Sequence, residues 1–177
     1  MKTKCIFALI LAVLLLVSGC AGETVKEEKG NALFGSFSAA DMEGNPVNQE
    51  VFKDHKLTMI NIWATFCGPC IQEMPELAQL QEEYGEDFQI IGIVVDAADR
   101  NGNVLPDKKA EAASIIEATG ADYLHLLPST SLTTAYLGRV QAVPETVFVD
   151  ENGNQVGQSY VGARNKEQWK VIIDSLM

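Results

Sequence analysis

A strand that passes directly into a helix at a pair of cysteines is the feature that most constrains this fold. Residues 57–64, LTMINIWA, are apolar and β-rich, as expected of a strand buried on both faces of a sheet. Residues 68–84 follow with apolar side chains at helical spacing, and Gly85 is a natural stop. Cys67 and Cys70 are therefore expected at the carboxyl end of a central strand, where α/β folds place reactive groups.

The rest of the chain after Leu33 also alternates strands with helices. The pattern predicts an early strand at 33–39, later strands at 88–96, 123–127 and on both sides of an Asn-Gly turn in 145–162, and helices at 107–120, 129–138 and 165–177. Strand–helix–strand–helix, followed by a hairpin and a last helix, indicates an α/β domain. Part of its sheet is expected to be parallel, with helices on both faces.

The first nineteen residues have the pattern of a signal peptide. Lys2 and Lys4 precede an apolar run at 6–17, which is short for a bilayer span. The run ends in VSGC, which resembles a bacterial lipobox. That resemblance implies cleavage before Cys20 and lipid attachment to this residue. The alternatives are an ordinary signal peptide with an incidental cysteine, or an uncleaved anchor. In each case we expect the domain to be exported.

The residues after the signal divide into a tether and one domain. Residues 20–32 are polar and charged, as in a flexible tether that begins at the lipidated cysteine, and 33–177 suffice for a single core. Cleavage would remove two lysines and take the net charge from −11 to −13. Such an acidic balance argues against nucleic acid as a partner and against electrostatic docking on anionic lipid. We therefore expect membrane attachment through the lipid anchor alone.

The cysteine pair has three conceivable uses. Zinc requires three or four ligands, and His55 and His125 lack ligand spacing to the pair, so no metal site is expected. A structural disulfide closing only two intervening residues would stabilise the fold little. Redox chemistry remains, and it needs no dissociable cofactor because the electrons reside in the cysteine pair itself, which cycles between a dithiol and the redox-active Cys67–Cys70 disulfide.

The two cysteines are expected to act differently. Pro69 suits the first turn of a helix, which puts Cys67 at the helix N-terminus. Unpaired backbone N–H groups and the helix dipole stabilise a thiolate there, so Cys67 is predicted to be the nucleophile. Cys70, one turn later, is close enough to attack a mixed disulfide formed on Cys67.

WATFCGPC, followed by Pro75, resembles the active site of the thioredoxin fold, with Phe66 where tryptophan is commoner. Together with the export signal, the chain resembles the TlpA/ResA type of membrane-anchored thiol-disulfide oxidoreductase over nearly all of 33–177. The opening FGSFSAADMEGNPV and the later AVPETVFVDENGNQVG extend the match. The resemblance implies a central mixed sheet flanked by helices, with an N-terminal hairpin and an inserted strand–helix segment around 97–120.

The same resemblance implies a substrate-binding set. Pro144 occupies the family's cis-proline position, which brings Val143 beside the cysteines, where its backbone can pair with a substrate strand. Gly68 and Pro69 lie between the cysteines, and Trp63 has a family role beside the active site. The alternative for Pro144 is an ordinary proline at a strand start, and strand position alone also explains Trp63.

A glutamate completes the expected catalytic set. Glu73 lies three residues beyond Cys70, on nearly the same helix face. In the ResA-like branch a glutamate at this position lines the active-site cavity, where a carboxylate can take the proton of Cys70. The alternative is a solvated helix residue. Asn61 stands where thioredoxin proper has a buried aspartate and cannot titrate, so any proton relay is expected to run through Glu73.

The leading hypothesis is an enzyme that reduces disulfides in exported proteins and takes its electrons from a transmembrane donor. Gly68–Pro69 matches reducing thioredoxins. No basic residue lies near Cys67 in the sequence, and the following helix is acidic. The alternatives are a disulfide oxidase or isomerase, a redoxin-type peroxidase, and a non-enzymatic redox-sensing binding module.

Overall fold

The computed structural model describes residues 32–99 and 101–177, in which seven strands and four α-helices alternate. The predicted signal peptide, the lipidation site Cys20 and almost all of the tether lie outside the described residues. Within the described part, no helix is both long and apolar enough to cross a membrane. The elements are β1 Ser38–Asp41, β2 Pro46–Asn48, β3 Leu57–Trp63, α1 Gly68–Tyr84, β4 Phe88–Val94, α2 Pro106–Thr119, β5 Leu124–Leu127, α3 Thr130–Ala135, β6 Glu145–Val149, β7 Gln155–Val161 and α4 Lys166–Leu176.

All seven strands join one mixed sheet in the order β2-β1-β5-β4-β3-β6-β7. Strand β3 pairs in parallel with β4 and antiparallel with β6, and β4 pairs in parallel with β5. Every residue of β3, β4 and β6 is buried, which explains their continuous apolar sequences. The carboxyl end of β3 is therefore held between two neighbours where it enters α1.

Two cores lie on opposite faces of the sheet. Helices α1, α2 and α4 cover one face, and their side chains pack around Trp63, Met74 and Trp169. The opposite face is covered by α3 and by the chain before β1, which contribute Leu132 and Phe34. Helix α4 begins at the predicted N-cap, with Asn165 and Gln168 forming a capping box.

The early strand predicted at 33–39 is wrong in position, because β1 begins at Ser38. Phe34 and Phe37 are instead buried against Phe52 in the second core. Tertiary packing of the aromatic rings therefore outweighs their strand preference. The inserted segment at 97–120 consists of a turn with a single bridge, Ala98 to Val104, followed by α2.

Three turns share the sequence pattern Asp-x-x-Gly-Asn, at 41–45, 99–103 and 150–154. In each, the aspartate accepts hydrogen bonds from both the backbone and the side-chain N–H of the asparagine. The glycine has positive φ, which other residues rarely adopt. The second of these turns shapes the inserted segment beside the cysteines.

Candidate active site

Cys67 and Cys70 form a disulfide at the start of α1. Cys67 is the N-cap residue, and its Sγ accepts a hydrogen bond from the Cys70 N–H at 3.3 Å. The exposed fraction is 6% for Cys67 and 0% for Cys70. Cys67 is therefore the only one of the two cysteines with any exposed surface, and the helix N-terminus stabilises negative charge on its sulfur after reduction.

The rim around Cys67 is open. Phe66 is 72% exposed, an unusual position for so large an apolar side chain. Gly68 and Pro69 are also exposed, and a Cβ added to Gly68 would meet no atom within 4 Å. The surface at Gly68 and Pro69, between the two cysteines in the sequence, therefore leaves space for another polypeptide chain to approach.

The peptide bond between Val143 and Pro144 is cis, as the resemblance implied. Val143 packs against the core cluster that contains both cysteines. It also lines a groove of about 610 Å³ that continues from Phe66. About half of the groove surface is apolar, with contributions from Phe66, Val95, Pro128, Leu137, Val140 and Val143.

Glu73 is buried, with an exposed fraction of 3%. Its Oε1 accepts a hydrogen bond from Asn61 Nδ2 at 2.9 Å, and its Oε2 accepts one from the Arg164 N–H at 3.0 Å. Burial raises the pKa of this carboxyl, although both hydrogen bonds oppose the shift. The structure thus excludes a solvated helix residue, and a raised pKa suits a group that accepts and returns a proton.

Buried polar atoms without a hydrogen-bond partner among the described residues include Asn61 Oδ1, Tyr123 Oη and Trp169 Nε1. Asn61 thus uses its amide as a donor, to Glu73 and to Thr146, and leaves its acceptor free. Rotation of the amide by half a turn would present that acceptor to a protonated Glu73. Asn61 can therefore form a hydrogen bond with Glu73 in either protonation state of that carboxyl, although the Asn61 side chain does not itself titrate.

Trp63 lies wholly inside the core, with 0% exposure. Its Nε1 donates to His125 Nδ1 at 3.2 Å, and His125 Nε2 contacts the Ala121 carbonyl at 3.0 Å. Burial lowers the pKa of His125 to about 4, so this imidazole is neutral at pH 7. A buried Trp63 supports the end of β3 but offers no surface to a substrate, which corrects its placement among the substrate-binding residues.

Charge around the cysteines differs from the pattern in the sequence. Lys108 of α2 lies with its Nζ 3.0 Å from Thr65 Oγ1, two residues before Cys67. Glu83, near the end of α1, is paired with Lys166 and Lys170 of α4. The sequence shows no basic residue near Cys67 along the chain, but the fold brings Lys108 of α2 beside the loop that leads to it.

The described ranges contain no group of three or more His, Cys, Asp or Glu side chains placed to hold a metal ion. The groups that the site offers for chemistry include two thiols and a buried carboxyl, beside a groove lined in part by apolar side chains. A dithiol at a helix N-terminus in a mixed α/β sheet, beside a cis-proline, defines a thioredoxin-like redox enzyme.

Comparison with known proteins agrees with this class. The Redoxin family model matches residues 26–172, and the chain belongs to that family. It is 34% identical to the thiol-disulfide oxidoreductase ResA of Bacillus cereus over 108 residues, which cover 55% of this chain and 60% of that protein. It is 27% identical to the thiol:disulfide interchange protein DsbE of Vibrio cholerae over 190 aligned positions, covering 99% and 95% of the two chains.

Solved structures share the fold. A thiol:disulfide interchange protein of the thioredoxin family from Chlorobium tepidum superposes with a TM-score of 0.65 at 24% identity, covering 80% of this chain and 92% of that one. The exposed lipoprotein thioredoxin Etrx1 of Streptococcus pneumoniae gives a TM-score of 0.59 at 23% identity, covering 80% and 99%. The protein is thus a thiol-disulfide oxidoreductase of the ResA/DsbE type, with Cys67 and Cys70 as its dithiol pair.

Proposed function

We propose that the protein is exported, is held to a membrane through lipid on Cys20, and reduces disulfides in extracytoplasmic proteins. The observation that carries this proposal is the asymmetry of the pair, in which Cys67 keeps a small exposed fraction beside an open rim and Cys70 is wholly buried. Such an arrangement suits attack on a protein disulfide by one thiol and resolution by the other.

The reaction begins when the Cys67 thiolate attacks one sulfur of the substrate disulfide. A Cys67–substrate disulfide forms, and the other substrate sulfur leaves as a thiolate. Cys70 then passes its proton to Glu73 and attacks Cys67, which releases the second substrate thiolate. Two electrons have moved to the substrate, and the enzyme is left as the Cys67–Cys70 disulfide. A second dithiol must then reduce the Cys67–Cys70 disulfide again. Because the enzyme is proposed to be exported, a transmembrane donor is required to supply these electrons.

Substrate binding is assigned to the residues around Cys67. The backbone of Val143, before Pro144, pairs with an extended substrate segment. Gly68 and Pro69 leave room for the substrate chain, and the groove beside Phe66 takes apolar side chains that flank the substrate cysteine. The apolar side chains, which form about half of the groove surface, favour apolar residues beside the substrate cysteine.

Export and tethering rest on the sequence before residue 32. The apolar run at 6–17 and the VSGC segment fit a lipoprotein signal. Two proteins of the same fold carry related descriptions, since one is an exposed lipoprotein thioredoxin and another is a secreted disulfide oxidoreductase. The partners proposed here are therefore exported proteins with disulfides, a transmembrane electron donor and the membrane itself.

A disulfide oxidase is the second candidate, and Lys108 is the observation that favours it. A cation near Cys67 stabilises the thiolate and makes the couple more oxidising. Gly68–Pro69 and the buried carboxyl of Glu73 favour the reductase.

The test is a redox titration of the purified domain against glutathione, together with insulin reduction. A potential near −270 mV with rapid insulin reduction supports the reductase, whereas a potential near −120 mV overturns it in favour of the oxidase. In cells, the redox state of the protein can be trapped with an alkylating reagent, and a mostly reduced pool of the protein would also support the reductase. Consumption of peroxide without insulin reduction would instead assign a redoxin-type peroxidase, and inactivity in both assays would leave a redox-sensing module.

A further inference from the structure

The loop that leads into the cysteines is fastened to the end of β4. Thr65 donates its backbone N–H to Asp96 Oδ1 at 3.0 Å and its hydroxyl to Asp96 Oδ2 at 2.6 Å. The Asp96 side chain is only 16% exposed, so this carboxylate lies mostly out of water. Charge-assisted hydrogen bonds of this kind fix the position of the loop.

Lys108 joins the same cluster from the inserted helix α2. Its Nζ lies 3.0 Å from Thr65 Oγ1, 3.7 Å from Asp96 Oδ2 and 2.8 Å from Glu111 Oε2. The Lys108 side chain is 39% exposed, and Glu111 at 48% is the outermost member. One cation and one partly buried anion therefore meet at a residue close to Cys67.

Both charges are bound to a residue that lies close to the attacking sulfur along the chain. Consecutive Cα atoms are about 3.8 Å apart, so the Cα atoms of Thr65 and Cys67 are separated by at most about 7.6 Å. This backbone separation is comparable to the Debye length of about 8 Å at physiological ionic strength, and partly buried charges are screened less than exposed ones. Among the described residues, the charged groups of the elements around Cys67 include Glu73 and Glu76 of α1, Asp96 and Asp99 after β4, Lys108 and Glu111 of α2, and Arg164 before α4.

We propose that Lys108 and Asp96 are positioning residues with opposite effects on the redox couple: Lys108 stabilises the Cys67 thiolate, and Asp96 opposes it. Neither Lys108 nor Asp96 is hydrogen-bonded to a cysteine sulfur. Both act through Thr65 and through their electrostatic fields. The proposal rests on the proposed role of Cys67 as the attacking thiol. Through Lys108, the inserted segment then adjusts a potential that the CGPC sequence alone does not determine.

The two substitutions are expected to shift the redox equilibrium in opposite directions, which distinguishes an electrostatic role of these residues from a structural one. Loss of Lys108 leaves the Asp96 carboxylate uncompensated beside the thiolate, which shifts the couple toward the reductant. Loss of the Asp96 charge leaves Lys108 with Glu111 as its remaining anionic partner and shifts the couple toward the oxidant. If each substitution merely loosened the loop, the redox equilibrium would shift in the same direction in both variants.

The experiment uses the reduced domain with Lys108→Met and Asp96→Asn, equilibrated against glutathione. We expect the equilibrium constant to change about three- to tenfold in opposite directions, where tenfold corresponds to about 30 mV. The pH midpoint of Cys67 alkylation is expected to rise in Lys108→Met and to fall in Asp96→Asn. Lys108→Arg should remain near the parent value. Lys109→Met is the matched control, because Lys109 makes no hydrogen bond or ion pair with Thr65 or Asp96.

Should Asp96→Asn fail to fold, Glu111→Gln provides the second variant, with a smaller shift in the same direction. Shifts of equal sign, or an unchanged constant in Lys108→Met, overturn the inference. Alkylation of Cys70 before Cys67 overturns the proposed attacking role instead. The equilibrium constant belongs to the pair whichever thiol attacks, so the two failures are separately visible.

Discussion

Asn61 donates a hydrogen bond from its side-chain amide to Glu73 inside the core, with 2.9 Å between Nδ2 and Oε1. The contact joins the middle of β3 to the first turns of α1, directly behind the cysteines. Asn61 carries no charge, so the proposed mechanism assigns the proton of Cys70 to Glu73, whose buried carboxyl lies on the same helix. The unused Oδ1 of Asn61 can then receive that proton's hydrogen bond after an amide rotation.

Glu73→Gln is expected to slow thiol-disulfide exchange about tenfold or more, because the variant has no group that takes the Cys70 proton. In the parent, exchange should rise with pH through the raised pKa of Glu73, since only the ionised carboxyl accepts a proton. That limb of the pH–rate profile should disappear in the variant. Stopped-flow reduction of a model disulfide between pH 4 and 9 measures it.

Glu82→Gln is the matched control, since Glu82 lies on the same helix but is exposed to solvent. It should retain both the rate and the profile. The Glu73 variant should also remain folded, because rotation of the Asn61 amide lets Oδ1 accept from the new amide while the Arg164 N–H keeps its bond. A parent-like profile in Glu73→Gln would remove Glu73 from the mechanism.

Cys70→Ala is expected to accumulate mixed disulfides with substrate proteins through Cys67, because the resolving thiol is missing. Cys67→Ala should accumulate few, since Cys70 has 0% exposure in the oxidised protein. Mass spectrometry of alkylated, reduced protein measures the order of labelling. Faster modification of Cys70 than of Cys67 would reverse the assignment.

Gly68→Ala is expected to fold normally but to reduce protein substrates several-fold more slowly. The φ of Gly68 is not positive and its Cβ would meet no protein atom, so alanine fits the helix start without strain. The added methyl group would instead project into the space assigned to the substrate. Insulin reduction measures the loss, and reduction of the variant by dithiothreitol is the control for intrinsic reactivity. Equal slowing of both reactions would indicate an effect on the disulfide itself.

Cys20→Ala is expected to remove lipid and either release the domain from membranes or leave it held by an uncleaved signal. The reason is that the thiol of Cys20 is the acylation site in the lipobox hypothesis. Fractionation of the native host, with mass spectrometry of the N-terminal peptide, measures the result. Cys5→Ala is the control, since Cys5 lies inside the predicted signal and should leave anchoring unchanged. Unmodified Cys20 in an intact parent precursor would contradict the hypothesis.

Local signals made α1 the most predictable element, since Pro69 marks its start and Gly85 follows its last residue. Helical spacing placed Glu73 on nearly the same face as Cys70, but it left a solvated position open, and the burial of the carboxyl follows only from the fold. Lys108 was not foreseeable, because it lies 43 positions from Thr65 and only the parallel pairing of β3 with β4 brings α2 near. Asp96 left a weaker signal: it is a carboxylate just past the carboxyl end of a buried strand.

The sequence also left the role of Trp63 open. A tryptophan at the end of β3, just before the loop that leads into α1, is compatible with both a surface site and a core position. Its partner His125 comes from β5, and the space between them exists because Gly92 of β4 has no side chain, since a Cβ there would lie 2.2 Å from His125 Nδ1. Such a fit depends on three strands at once and leaves no periodic trace in the chain.

The neutral state of His125 predicts how stability depends on pH. Its pKa is about 4 in the folded protein, against an ordinary value of 6.5. Between these values the unfolded chain binds a proton that the folded protein does not. The stability contributed by this residue is therefore present above pH 6.5 and is lost as the pH falls toward 4. The full loss is about 3 kcal/mol, since each pKa unit corresponds to about 1.4 kcal/mol.

Urea unfolding of the oxidised domain at a series of pH values from 7 to 4 measures this dependence. His125→Gln should be less stable than the parent at pH 7, because a smaller side chain leaves space above Gly92 and weakens the contact with Trp63. The difference should narrow as the pH falls, since the variant has no imidazole to protonate. Glu73 acts in the opposite sense, because its raised pKa favours the folded state at low pH, and it cancels in the comparison of parent and variant. His55→Gln is the control, because His55 is partly exposed and should follow the parent curve. A constant difference between parent and His125→Gln across this range would show that the pKa of His125 is the same in the folded and unfolded protein, which would contradict the lowered pKa.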